Sequence, residues 1–299
     1  MIKTVLGDIP KSRLGVTLAH EHICCYSEYA YQMAGDRYLD KDALLKTACT
    51  YLKQMKRQYG LTTLVDCTPV NIGRDISLLK RISKESEVNI VCATGFYYTD
   101  EPVLYATPTD RLCDYVVADA RTANAGMIKC AVEHEAVGAF QEKLLRACAR
   151  AHLITGLPVV IHTNATNQNG RRALEILLSE KVAPCAITVG HLSDADCLEY
   201  VKEIASYGCW IGLDRLYDDP SEEYVSKKLC QIEALFDSGY GDQILLSHDA
   251  QFFNGFETEP KICEAPRLSY CFEHILPRLP HEWAEKLTVH NPMRMLLQS

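Results

Sequence analysis

The chain has 299 residues, 47% hydrophobic and 23% charged, with a formal net charge of −8. That is ample for a sizeable core, in one large α/β domain or two small ones. The acidic residues are scattered and no Lys/Arg run occurs, which argues against nucleic acid as a partner.

The fourteen cysteines form no CxxC pair. Several sit inside apolar runs, such as Cys67 in LVDCT and Cys148 in LRACARAH, and read as small buried hydrophobes of a reducing compartment. No stretch approaches the roughly 18–20 apolar residues of a membrane span. The N-terminal MIKTVLGDIP lacks an apolar leader with a cleavage site. A soluble, cytoplasmic protein with no membrane partner is therefore expected.

In chain order, the strand-like runs are GVTLAH, TTLVDCT, NIVCAT, GMIKCAV, PVVIHT, AITVGH, CWIGLD and QILLSHD. Amphipathic stretches separate them, among them DKDALLKTACTYLKQMKRQYG and GAFQEKLLRACARAHLITG, the second ending in a Gly-Leu-Pro helix stop. Eight strand–helix units predict an α/β chain folded as a single (β/α)8 TIM barrel over residues 1–299, with its active site at the C-terminal ends of the strands. An open doubly wound sheet is the alternative. Against it, no GxGxxG follows the first strand and no Walker sequence occurs. No low-complexity linker divides the chain.

The polar residues at the predicted strand ends are the candidates for chemistry. The first strand ends in His20 and His22, which as i and i+2 share one face. The fourth carries Lys129, the fifth ends at His162, the sixth at His191 and the eighth at Asp249. Each alone has an ordinary reading: a packed rim histidine, a salt-bridged lysine, a helix N-cap. Together they converge on one rim. Imidazole and carboxylate suit zinc or a similar divalent ion, and the ligands are too many for one tetrahedral ion, so two ions are predicted. Such a pair fits metal-assisted hydrolysis, with Asp249 placed to move a proton. Lys129 resists this account, because an ammonium has no lone pair to offer a cation.

The segments GDIPKSRLGVTLAHEH, GMIKCAV, TGLPVVIHTNA, TVGHLSDADCL, GCWIGLDRL, ILLSHDA and TVHNPMRMLL resemble, in combination and order, the phosphotriesterase family of the amidohydrolase superfamily. The likeness spans essentially the whole chain. It implies a binuclear centre, usually of zinc, bridged by a carbamylated lysine that is Lys129 by position. It further implies that His20, His22 and Asp249 complete one metal site and His162 and His191 the other. By the same resemblance, Asp194 helps to carry a proton away from Asp249. Arg215 matches a position often arginine in the lactonase-like branch, and Tyr97 and Tyr98 match tyrosines that can bind a substrate carbonyl. Members are commonly homodimers, and the apolar CCYSEYAYQM fits either such a contact or a wall of the site.

One departure stands out. Members acting on phosphorylated sugar lactones tend to carry an arginine and a tyrosine where this chain has Phe252 and Gly255. The stretch from Gln251 to Ala265 is expected to form a loop over the site, made partly apolar by Phe252, Phe253 and Phe256. A neutral substrate suits such a pocket better than a dianion, because burying unpaired phosphate charge is costly. The expected function is therefore hydrolysis of a carboxylic ester or lactone by a metal-bound hydroxide. The alternatives are a phosphotriesterase and a hydrolase of phosphorylated sugar lactones. An amide substrate would need a proton donor for the amine, and no residue is evident in that role. A metal-storing or partner-binding scaffold is the non-enzymatic alternative, without support in the residues.

Overall fold

A computed structural model describes residues 1–216 and 219–297. Each predicted strand run overlaps an observed strand, the first of which runs on five residues past its predicted end: β1 (Val16–Cys25), β2 (Leu61–Asp66), β3 (Asn89–Gly95), β4 (Met127–Ala131), β5 (Val159–His162), β6 (Ile187–Val189), β7 (Trp210–Leu213) and β8 (Ile244–Leu246). A further short strand, β9 (Gln251–Asn254), follows at once. All neighbours pair in parallel, in the order β8-β7-β6-β5-β4-β3-β2-β1-β9. Since β9 continues the chain from β8 within a few residues, its pairing with β1 closes the ring. Backbone bonds from His22 N to Ala250 O (2.9 Å) and Asp249 N to His20 O (3.1 Å) complete the seam. The fold is a (β/α)8 barrel.

Among the described residues the α-helices are α1 (Glu28–Ala34), α2 (Lys41–Tyr59), α3 (Ile76–Ser86), α4 (Pro102–Ala106), α5 (Thr109–Ala123), α6 (Ala139–Thr155), α7 (Gly170–Ser179), α8 (Leu198–Ser206), α9 (Glu222–Asp237), α10 (His281–Glu285) and α11 (Asn291–Leu297). Their limits follow local chemistry. Asp40 caps α2 by accepting from Asp42 N and Ala43 N, and Gly60 ends it at φ 71°. The buried face of α2 is Leu44, Leu45, Ala48, Cys49, Leu52 and Met55, a helical stripe turned to the sheet. Gly156 ends α6 in the same left-handed conformation.

Two apolar layers result. Outward strand residues such as Leu64, Ile90, Ile128 and Ile161 pack under the helices. Inward ones, including Ala19, Val65, Val91, Met127, Val160, Trp210 and Leu245, fill the barrel. Strand alternation therefore carries Lys129 inward two residues after Met127, and His162 two after Val160. The first strand departs from this. Leu18 pairs with Leu64 and Glu21 with Asp66, so β1 spends three steps where β2 spends two. This bulge turns both Ala19 and His20 inward, and it places the His20–His22 pair on the axis.

Of the cysteines, ten are buried and four exposed, and none is bridged. Among the described residues no helix is long and apolar enough to cross a membrane.

Candidate metal centre

The six predicted ligands meet at the C-terminal mouth. His22 Nε2 lies 3.0 Å from Asp249 Oδ1, and His20 Nε2 lies 3.7 Å from the same oxygen. The ligand atoms of His20, His22 and Asp249 all fall within 4.8 Å of one another, close enough to hold one ion. His191 Nε2 stands 2.8 Å from His162 Nδ1. The buried Lys129 Nζ is 2.7 Å from His20 Nε2, and the His20 ring lies 5.1 Å from that of His191, which brings the two groups together.

The donor set fits metal binding because of where the other ring nitrogens go. His20 Nδ1 bonds Asp214 Oδ2 at 2.5 Å, His22 Nδ1 bonds Thr68 Oγ1 at 2.8 Å, His162 Nε2 bonds Glu133 Oε2 at 2.7 Å, and His191 Nδ1 bonds Asp214 Oδ1 at 3.0 Å. Each ring is thus anchored by a protein oxygen on its outer nitrogen, which leaves the inner nitrogen's lone pair for a ligand. Burial pushes His162 down to about 4 and His191 down to about 3. Both rings are therefore neutral at pH 7, the form that binds a cation. Burial alone would raise Asp249 and Asp214, but the imidazoles around them hold both carboxyls well below the usual range.

Two of the predicted ligands sit in unusual backbone conformations. His191 has φ 64° and Asp249 φ 54°, the left-handed region that costs a non-glycine residue free energy and is found at functional sites. Gly95 (φ 100°) shows the opposite economy. A Cβ there would collide with the carbonyl oxygen of Lys129, so the end of β3 can lie against the lysine only without a side chain.

Around the ligands is a cavity of about 340 Å³, lined by Tyr97, Tyr98, Arg215, Cys25, Gln251 and Asn254 among others. Burial raises the hydroxyls of Tyr97 and Tyr98, so both remain neutral donors at pH 7. Tyr97 packs edge-on against His162 at 5.1 Å. Arg215 donates from Nε to Asp249 Oδ2 (3.0 Å) and from Nη1 to Asp194 Oδ2 (3.2 Å). Asp194 is thus linked to Asp249 through a guanidinium.

The loop expected over the site is corrected in part. Phe252 and Phe253 are buried at 1% and 2% exposure. They pack against Tyr51 and Tyr38 rather than over the cavity. At the two ends of β9, Gln251 and Asn254 line the site instead, and of the three phenylalanines only Phe256 does so. In CCYSEYAYQM, Cys25 walls the cavity, while Tyr29 and Met33 face solvent.

Sequence reasoning missed the groups that orient the predicted ligands. Asp214 ends strand seven in CWIGLD, so the rule that selected Asp249 would have selected it too. Glu133, four residues beyond Lys129, carries no comparable signal. Thr68 and Glu21 lie within the quoted runs TTLVDCT and GDIPKSRLGVTLAHEH, where no part is assigned to them.

The fold and its rim site define a class: a (β/α)8 barrel with side chains arranged to hold metal at its mouth. The pattern of the Phosphotriesterase family matches residues 1–296, and the chain belongs to that family. It is 33% identical to the aryldialkylphosphatase of Saccharolobus solfataricus, over 91% of this chain and 90% of the relative. It is 29% identical to the phospho-furanose lactonase of Mycoplasmopsis synoviae, over 98% and 91%. With the N-acetyltaurine hydrolase of Pongo abelii it shares 28% identity, over 83% of each.

Proposed function

We propose that this protein is a binuclear-metal-dependent hydrolase of a neutral carboxylic ester, with a lactone as the first candidate. The observation that carries the reading is the set of four imidazoles, each anchored on its outer nitrogen and gathered at one mouth with Asp249 and Lys129. His20, His22 and Asp249 would hold one ion and His162 and His191 the other. Carbamylation would turn the Lys129 ammonium, which can only donate, into an anionic pair of oxygens between the two. Bound there, two divalent ions, zinc in the first instance, would polarise the scissile carbonyl and acidify a water.

The chain's own groups complete the chemistry. Arg215 and Tyr98 face the cavity and orient the substrate carbonyl, while Tyr97 and Tyr98 screen it from solvent. Asp249, anionic and hydrogen-bonded through Oδ2 by Arg215, accepts a proton and returns it to the leaving alkoxide. Asp194 steadies Arg215 from the far side.

A neutral substrate is supported by charge. Apart from the imidazoles, the cationic side chains lining this cavity among the described residues are Lys129 and Arg215, and Arg215 is already engaged by two carboxylates. A dianionic phosphate would compete with those carboxylates for it.

The test is kcat/KM of zinc-reconstituted protein, prepared with bicarbonate, over plain and phosphorylated lactones, open esters, phosphotriesters and N-acyl amides. The expected outcome is a plain lactone rate of about 10⁴ M⁻¹s⁻¹ or more, well above the other classes. A preference for phosphotriesters, phosphorylated lactones or amides would replace the substrate class. Failure to bind two ions per chain would sink the metal reading itself.

A further inference from the structure

Within the HEH triplet, strand alternation accounts for the histidines and leaves Glu21 facing away from them. Glu21 is fully buried, and a buried carboxylate needs its lone pairs satisfied. Its partners all come from one tetrapeptide. Oε1 accepts from Ser247 Oγ (2.8 Å), His248 N (3.0 Å) and His248 Nδ1 (2.7 Å), and Oε2 accepts from Ala250 N (2.8 Å).

The proton positions are determined by the surroundings. His248 Nε2 accepts from Cys271 N at 3.1 Å, so Nδ1 carries the hydrogen that points to Glu21. Ser247 Oγ accepts from His20 N at 2.9 Å, so its own hydrogen is directed to Glu21. Three of the four residues 247–250 are thereby fastened to one carboxylate. The remaining one is Asp249, in a left-handed conformation with φ 54°.

We infer that Glu21 is a positioning residue, which clamps residues 247–250 so that the Asp249 carboxylate faces His20 and His22. The inference rests on the reading above, in which those three residues hold one ion. Barrel closure does not need the clamp, because β1 and β9 already pair through their backbones at His22–Gln251, Cys24–Phe253 and Cys25–Asn254. A glutamine at position 21 would keep the shape but place an amide N–H₂ against at least one of the converging donors.

The test is stepwise cobalt(II) titration of the metal-free chain, followed by visible absorption and metal analysis, on wild type, Glu21→Gln and, as a reference, His22→Asn. Wild type is expected to take up two ions. Glu21→Gln is expected to bind one of them about 10-fold or more weakly. The spectrum of its remaining ion should match that of His22→Asn, with circular dichroism unchanged. Two ions bound by Glu21→Gln with wild-type affinity and spectrum would overturn the inference, as would parallel weakening of both ions. Wild type binding fewer than two ions would overturn the metal reading and this inference with it. Should Glu21→Gln fail to fold, Ser247→Ala decides. It removes one donor to the clamp, so about threefold weakening of the same ion supports the inference and unchanged affinity overturns it.

Discussion

Arg215 donates from Nε to the Oδ2 of Asp249 at 3.0 Å, so the residue placed to move a proton is fastened to a group that cannot lose one. The same guanidinium reaches Asp194. An arginine in this place steadies the carboxylate and presents charge to the cavity, and it does not pass the proton on. Arg215→Lys, which loses the fork but keeps the charge, is expected to lower kcat/KM about 100-fold, with metal content unchanged. Asp194→Asn, which removes only the outer support, is expected to cost about 10-fold. Steady-state kinetics on the best substrate checks both, and an Asp194→Asn loss exceeding that of Arg215→Lys would make Asp194 the proton carrier.

Asp214 accepts from rings that belong to both proposed metal sites, His20 and His191. Thr68 supports only His22, and Glu133 only His162. Asp214→Asn should therefore weaken both ions by about 10–100-fold, whereas Thr68→Val and Glu133→Gln should each weaken one. Zinc titration against a competing chelator reads the two affinities, and a single-site effect of Asp214→Asn would contradict the shared role.

The burial of Phe252 in the outer layer makes it a stability residue. Phe252→Ala is expected to cost about 3–5 kcal/mol of folding free energy. Relative preference among substrates should stay unaltered, because the side chain faces Tyr51 and not the cavity. Urea unfolding together with the substrate panel separates the two effects. A changed preference at unchanged stability would return Phe252 to the pocket wall.

Asp75 caps α3 through Leu78 N at 3.0 Å and pairs with Lys41 Nζ at 2.8 Å. Burial alone would raise its carboxyl, but Lys41 and the helix N–H groups hold it below its ordinary value. A depressed carboxyl contributes stability above the unfolded pKa of about 3.9 and loses it as pH falls through the lower folded value. Asp75→Asn should thus cost about 1 kcal/mol at pH 7, and the gap should narrow below about pH 4. Unfolding curves at a series of pH values check the sign, and a gap that widens in acid would refute it.

Much of this was legible in the chain because both of its signals are local. Strand and helix alternate with periods that any eight consecutive units would show, as GMIKCAV and PVVIHT do for β4 and β5. The barrel rule then sends strand-end polar residues to one mouth, which is why His20, His22, Lys129, His162, His191 and Asp249 could be named together. The phenylalanines after Asp249 misled because a short strand, β9, lay where a loop was expected. Its two central residues, Phe252 and Phe253, are packed into the core, and its ends, Gln251 and Asn254, line the cavity.

Ligand types and their order along the chain are properties of the sequence itself, since residue chemistry and strand period need no long-range contact to be read. Which oxygen anchors each imidazole, and how Arg215 comes to join Asp249 to Asp194, depended on tertiary contacts between residues as far apart in the chain as His20 and Asp214. The bulge in β1 belongs to the same category. It exists only in the register against β2, and without it strict alternation would have sent His20 to the opposite face from Ala19.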